Sequence, residues 1–161
     1  MLKLIMSAAV ALMLMPAAAT AQDFDAGLQA YHAQDYATAL REWTPLAEEG
    51  HAAAQFNLGL MYEIGHGVPQ DHAEAVRWIR MAAEQGIAVA QYNLGLSYAN
   101  GRGVPQDYAT AHMWLNIAGA NGHRNAIDAR DVIAEWLTPD TISEAQRRAR
   151  ACMVSNYQDC D

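Results

Sequence analysis

The sequence predicts an all-α solenoid of about four helix–turn–helix units, and three observations carry that reading. Residues 55–90, QFNLGLMYEIGHGVPQDHAEAVRWIRMAAEQGIAVA, align without a gap on 91–126, QYNLGLSYANGRGVPQDYATAHMWLNIAGANGHRNA, with 18 of 36 positions identical. Each copy holds two stretches of helical periodicity separated by Gly/Pro punctuation. The chain of 161 residues is 52% apolar but only 17% charged, as helices stacked closely on both sides require. A helix pair of this size cannot bury its apolar face alone, so a repeat period in the 20–50 range means a stacked array. The same shift reaches further back, where 35–54 matches 71–90 at nine of 20 positions. The expected units are therefore 22–54, 55–90, 91–126 and 127–161.

The first 21 residues stand apart. Met1–Lys3 is a short positive start, Leu4–Met15 is apolar except for Ser7, and Pro16 leads into Ala17-Ala18-Ala19-Thr20-Ala21. This is the pattern of a cleaved secretory signal peptide, 1–21, with Ala19-x-Ala21 as the cleavage site. The apolar run is too short for the roughly 20 residues a membrane helix needs, so no stable membrane anchor is expected. The remaining 140 residues hold nine Arg, no Lys and 18 acids, a net charge of −9. Such a chain repels polyanions and is not expected to bind nucleic acid. An exported chain meets an oxidising compartment, where Cys152 and Cys160, the only cysteines, are expected to pair. A metal or redox pair is the alternative, but the spacing is not C-x-x-C and no His follows His123.

Within the repeats, Ala54, Leu58, Met61 and Tyr62 form a helical stripe that Gly65-His66-Gly67-Val68-Pro69 stops. Asp71 then caps a second helix, with Glu74 three residues on as the partner of a capping box, and Ala75, Ile79, Ala82 and Ala83 form its apolar stripe. Gly59 and Gly95 lie inside helices, where Gly costs about 1 kcal/mol relative to Ala, so a neighbouring helix is expected to cross there. Leu58, Leu94, Tyr62, Tyr98, Trp78 and Trp114 are expected to fill the grooves between helices. The first unit lacks the G-x-G-V-P loop, and Pro45 in its second helix is expected to kink or split it. In the last unit Ile127, Arg130, Val132, Ile133 and Trp136 mark a helix ending at Thr138-Pro139. A final helix, 140–154, closes the stack as its pair, with Arg147, Arg148 and Arg150 on a solvated cap face or, less simply, at an anion site.

These positions resemble the Sel1-like repeat, a relative of the tetratricopeptide repeat. The marks are Leu58-Gly59…Tyr62, Gly65-x-Gly67-Val68, Asp71, Ala75-x-x-Trp78 and Ala82-Ala83…Gly86, and again Leu94-Gly95…Tyr98, Gly101-x-Gly103-Val104, Asp107, Ala111-x-x-Trp114 and Ala118…Gly122. The resemblance implies a right-handed superhelix and a role as adaptor or scaffold for protein partners. A cysteine-rich exported branch of that family is often labelled β-lactamase, but it places a disulfide in each repeat, and Ala stands at those positions here.

Few residues offer catalysis. Ser97 sits in Gly95-Leu96-Ser97-Tyr98-Ala99, one residue short of G-x-S-x-G and mid-helix rather than on a strand-to-helix elbow. The absence of Lys beyond residue 3 removes S-x-x-K, Schiff-base and P-loop chemistry. The set Glu63, His66, His72 becomes Ala99, Arg102, Tyr108 one repeat later, so no repeated metal site is built. No metal or cofactor is expected, and the six His are read as solvent-facing loop and cap residues. The expected function is a non-catalytic interaction module of the cell envelope, periplasmic or extracellular. With the tetratricopeptide geometry that the resemblance implies, and Leu58-Gly59…Tyr62 as the packing set, its concave face would present Phe56, Leu60, Glu63 and Ile64, then Tyr92, Leu96, Ala99 and Asn100, to a peptide or protein segment. The competing reading of that stripe is that Phe56, Tyr92, Leu60 and Leu96 are shielded by adjacent helices. A hydrolase, and a binder of cell-wall fragments or other small ligands, are the alternative functions.

Overall fold

The computed structural model describes residues 23–160, so the expected leader 1–21 lies outside the described residues. Eight helices follow in order: α1 Phe24–His32, α2 Tyr36–Glu48, α3 Ala52–Ile64, α4 His72–Ala83, α5 Ala88–Asn100, α6 Tyr108–Ala120, α7 Arg124–Ala134 and α8 Pro139–Val154. No strand occurs among the described residues. Each of α1 to α6 packs on the helix that follows it.

Local chemistry sets the boundaries. Side chains of Asp23, Asp35, Asp71, Asp107 and Thr138 accept backbone N–H groups at the starts of α1, α2, α4, α6 and α8, and His51 does the same for α3. Helices α3 and α5 end at Gly65 (φ 84°) and Gly101 (φ 67°), left-handed positions that favour Gly. The loops that follow close identically. Gln70 donates to the Glu63 carbonyl at 2.7 Å, and Gln106 donates to the Ala99 carbonyl at 2.7 Å. The capping box expected at Asp71 forms only by half. The Asp71 N–H is taken by the Tyr62 carbonyl at 2.9 Å, and Glu74 turns instead to Arg77. Pro45 does not split α2, which runs unbroken to Glu48. Only one internal bond is lost so near the helix end, and fully buried Trp43 and Ala47 hold the turn on either side.

Glycines set the pair spacing. A Cβ on Gly59 would stand 2.7 Å from Ile79 Cγ1 and 3.1 Å from the Ala75 carbonyl, and one on Gly95 would stand 2.8 Å from Leu115 Cγ. Helix α4 therefore lies against the backbone of α3, and α6 against that of α5. Successive units are joined by two buried glutamines. Gln55 donates to the Ala47 carbonyl and Gln91 to the Ala83 carbonyl, each at 3.0 Å, and so each serves a carbonyl in the last turn of the preceding helix.

The C-terminal end departs from the expected pairing. Helix α8 packs against α6, not against α7. Its Ala145, Ala149 and Cys152 join Val76, Met113, Trp114 and Ile117 in one core cluster. The small side chains of Ala145 and Ala149, with Cys152, let α8 sit close on α6. Cys152 and Cys160 are bridged, and Tyr157 in the loop they close reaches Asn121 with its hydroxyl at 2.8 Å. Helix α7 ends before Trp136, which is 58% exposed. Among the described residues no helix is long and apolar enough to cross a membrane.

Candidate functional site

Three clefts run along one side of the stack, each between successive odd-numbered helices. The first, of roughly 330 Å³, lies between α1 and α3 and is lined by Leu28, Tyr31, His32, Trp43, Asn57 and Leu60. A middle cleft of roughly 530 Å³ separates α3 from α5, with Leu60, Glu63, Asn93, Leu96, Asn100 and Arg102 on its walls. The third, of roughly 630 Å³, opens between α5 and α7, where Leu96 and Asn100 face Val132, Ile133 and Trp136. Leu60 belongs to the first two and Leu96 to the last two, so these side chains are ridges shared by neighbouring clefts.

The stripe read from sequence divides here. Leu60, Glu63, Leu96 and Asn100 are at the clefts, and Ala99 lines the third from a buried position. Phe56 is half-buried against the core beneath, and Tyr92 is half-buried with its ring stacked on His123 at 4.2 Å. Ile64 is 52% exposed but lines none of the three. The repeat-packing residues Leu58, Gly59, Leu94, Gly95, Trp78 and Trp114 are buried, whereas Tyr62 and Tyr98 are half-buried. Sequence reading missed Asn57, Asn93, Arg102, Val132 and Trp136 as cleft residues. Asn57 and Asn93 were visible as an identical polar pair 36 residues apart, but polarity alone does not say which face a helical residue occupies.

Most polar groups at the clefts serve the fold. Glu63 accepts from Arg102 Nη1 at 2.7 Å and binds His72 Nδ1 at 3.0 Å. Because Arg102 comes from the next repeat's loop, Glu63 ties the two repeats at the rim of the middle cleft. The Ser97 hydroxyl donates to the Asn93 carbonyl at 3.0 Å, and Asn100 Nδ2 donates to the Leu96 carbonyl at 2.9 Å. In the first cleft Tyr31 is bonded to His66, and Trp43 Nε1 donates to the Phe24 carbonyl.

The histidines are not uniformly solvent-facing. His112 is 2% exposed within α6 and its Nδ1 has no hydrogen-bond partner among the described residues. It occupies the position Val76 holds one repeat earlier, which is a core position in both. Burial holds its imidazole below the ordinary pKa of 6.5, and the positive charge of Arg130 pushes the same way against the weaker pull of Asp131. Asp107 is lowered despite burial, which pushes it up, because the Thr110 hydroxyl and the N–H groups of Thr110 and Ala109 bond its carboxylate. No group of three or more His, Cys, Asp or Glu that could hold a metal occurs among the described residues. Arg147 pairs with Glu144 on the α8 surface, and Arg148 approaches the Thr110 hydroxyl at 3.5 Å.

Paired helices whose glycines bring them into backbone contact, repeated at 36 residues with a line of clefts on one side, define a helical-repeat interaction fold. The family model for the Sel1 repeat matches residues 52–87 and 88–123, so the chain carries two Sel1 repeats. The two matched units start three residues before the phase taken from the sequence, with the same period, because His51 and Ile87 are the capping positions of α3 and α5. Among solved structures, the chain is similar to c5321, a protective antigen of uropathogenic Escherichia coli with the SLR fold, at 31% identity and a TM-score of 0.75. That match covers 81% of this chain and 29% of c5321. It is also similar to a Sel1 repeat protein from Oxalobacter formigenes, at 33% identity and a TM-score of 0.62, over 65% of this chain and 42% of the other. The chain thus spans less than half the length of either relative. No curated protein matches it. The Sel1-repeat fold typically mediates protein–protein interaction and is generally non-catalytic.

Proposed function

We propose that this chain is an exported, non-catalytic interaction module of the cell envelope that holds a peptide or protein segment along the concave face built from α1, α3, α5 and α7. The observation that carries the reading is the continuity of the three clefts, which share Leu60 and Leu96 as ridges. Apolar ridges flanked by polar rims suit a segment laid across several helices better than a single small ligand. Export is supported by the leader pattern of residues 1–21 and agrees with the Cys152–Cys160 bridge. The commitment of the Ser97 hydroxyl to its own helix supports the absence of a nucleophile, and no turnover of a chromogenic β-lactam is expected.

A photo-reactive residue at Asn100, compared with one at Val154 on α8, tests this in the native envelope. Lysine-directed linkers cannot serve, since the only Lys is Lys3. Adducts are expected from position 100 and are expected to vanish when Leu60→Arg and Leu96→Arg are combined. Equal labelling from position 154, which is 88% exposed, would overturn the reading.

A further inference from the structure

Asn57 and Asn93 are the same repeat position on α3 and α5, half-buried, one in the wall of the first cleft and the other in that of the middle cleft. No described residue hydrogen-bonds either side-chain amide, although Ser97, Asn100, Arg102, Tyr31 and Trp43 beside them all have internal partners. A primary amide presents a carbonyl acceptor and an NH2 donor side by side. In extended chain, one residue's N–H and C=O point the same way, as the paired bonds of a β-ladder show. The amide of Asn therefore matches the N–H and C=O of one extended residue with two hydrogen bonds.

We infer that the occupant of the concave face is an extended polypeptide segment read through its main chain by the Asn57 and Asn93 amides, once per repeat. This rests on the concave-face reading above and adds to it the chemistry of recognition. The series stops at α7, where Ala129 takes the equivalent place. The third cleft then accepts a side chain rather than main chain. Its lining of Val132, Ile133 and half-exposed Trp136 fits an apolar residue at that end of the segment. Recognition of this kind tolerates many sequences, because every residue except Pro carries the same donor and acceptor.

The test uses the purified full chain and random dodecapeptides displayed on phage. Two selected peptides of unrelated sequence are measured against the wild type, Asn57→Leu, Asn93→Leu and the Leu60→Arg/Leu96→Arg double variant. Each Asn→Leu variant is expected to weaken both peptides about tenfold, as loss of one or two net hydrogen bonds requires. Methylating single backbone nitrogens of the peptides, which leaves the protein untouched, is expected to reproduce that loss at two positions. Each such loss should disappear in the matching Asn→Leu variant. If the double Arg variant abolishes binding while Asn57→Leu and Asn93→Leu bind as wild type, main-chain reading is overturned and the concave-face function stands. If no peptide is selected, or the double Arg variant binds unchanged, the concave-face function itself fails.

Discussion

The repeats at 52–87 and 88–123 share their backbone plan and half their side chains, yet their second helices live in different surroundings. Helix α4 keeps Glu74 and Arg77 on its outer face, with the Arg77 guanidinium 4.0 Å above the Trp78 ring. In α6 the same positions are Thr110 and Met113, Trp114 is fully enclosed, and eight residues are buried. The difference comes from α8, which covers α6 and has no counterpart over α4. A repeat thus fixes how two helices meet, and what packs outside decides which of its positions are core. Arg77 and Met113 are two answers to one position, a half-exposed cation over the Trp78 ring and a thioether under a covering helix.

Exchanging those answers is the sharpest way to break the comparison. Met113→Arg places an unpaired charge beneath α8 and is expected to cost about 3–5 kcal/mol in denaturant unfolding. Arg77→Met removes an exposed cation–π contact and is expected to cost about 0.5–1 kcal/mol. Equal costs would mean that α8 does not cover α6 in solution.

The disulfide comes next. Tyr157, in the loop closed by Cys152 and Cys160, packs over Gly86, while Gly50 one repeat earlier has nothing near it. Replacing both Cys by Ala is expected to cost roughly 2–3 kcal/mol, set by the short loop. Hydrogen exchange should rise in α8 and along α6 while α3 and α4 stay as they are.

The smallest and most specific effect is in pH. His112 stands where the first repeat has Val76, and its folded-state pKa is lowered by burial and then by Arg130. A depressed histidine favours the neutral form in the fold, so its contribution is fully present above the unfolded value of 6.5 and is lost as pH falls below it. Stability between pH 7 and 5 should therefore fall more steeply in the wild type than in His112→Val. Identical slopes would show that His112 is not held neutral.

Much of this was legible along the chain. Repeat period, helix pairs, caps at Asp71 and Asp107 and close approach at Gly59 and Gly95 each have a local signature that chemistry enforces within a few residues. The cleft side was partly legible: Leu60, Glu63, Leu96 and Asn100 came from helical register set on the tetratricopeptide geometry that the resemblance implies. Phe56 and Tyr92 did not behave as register suggests, because aromatic rings are long enough to fold back onto neighbours such as His123. Pro45 misled because a local penalty was outweighed by burial of Trp43 and Ala47. Gln55 and Gln91 were passed over because a buried polar residue declares itself only through the partner it finds, here a carbonyl eight residues back.

Sequence by itself determined that this protein is a stack of short helix pairs, since period, caps and glycines act over distances shorter than one repeat. Tertiary structure alone decided where the stack closes and which face stays open. Helix α8 could have paired with α7 on the strength of sequence order, but its small-residue stripe found a better seat on α6. That choice buried Met113, left Val132 and Trp136 at the third cleft, and lies in contacts between residues 30 or more positions apart, which no local pattern encodes.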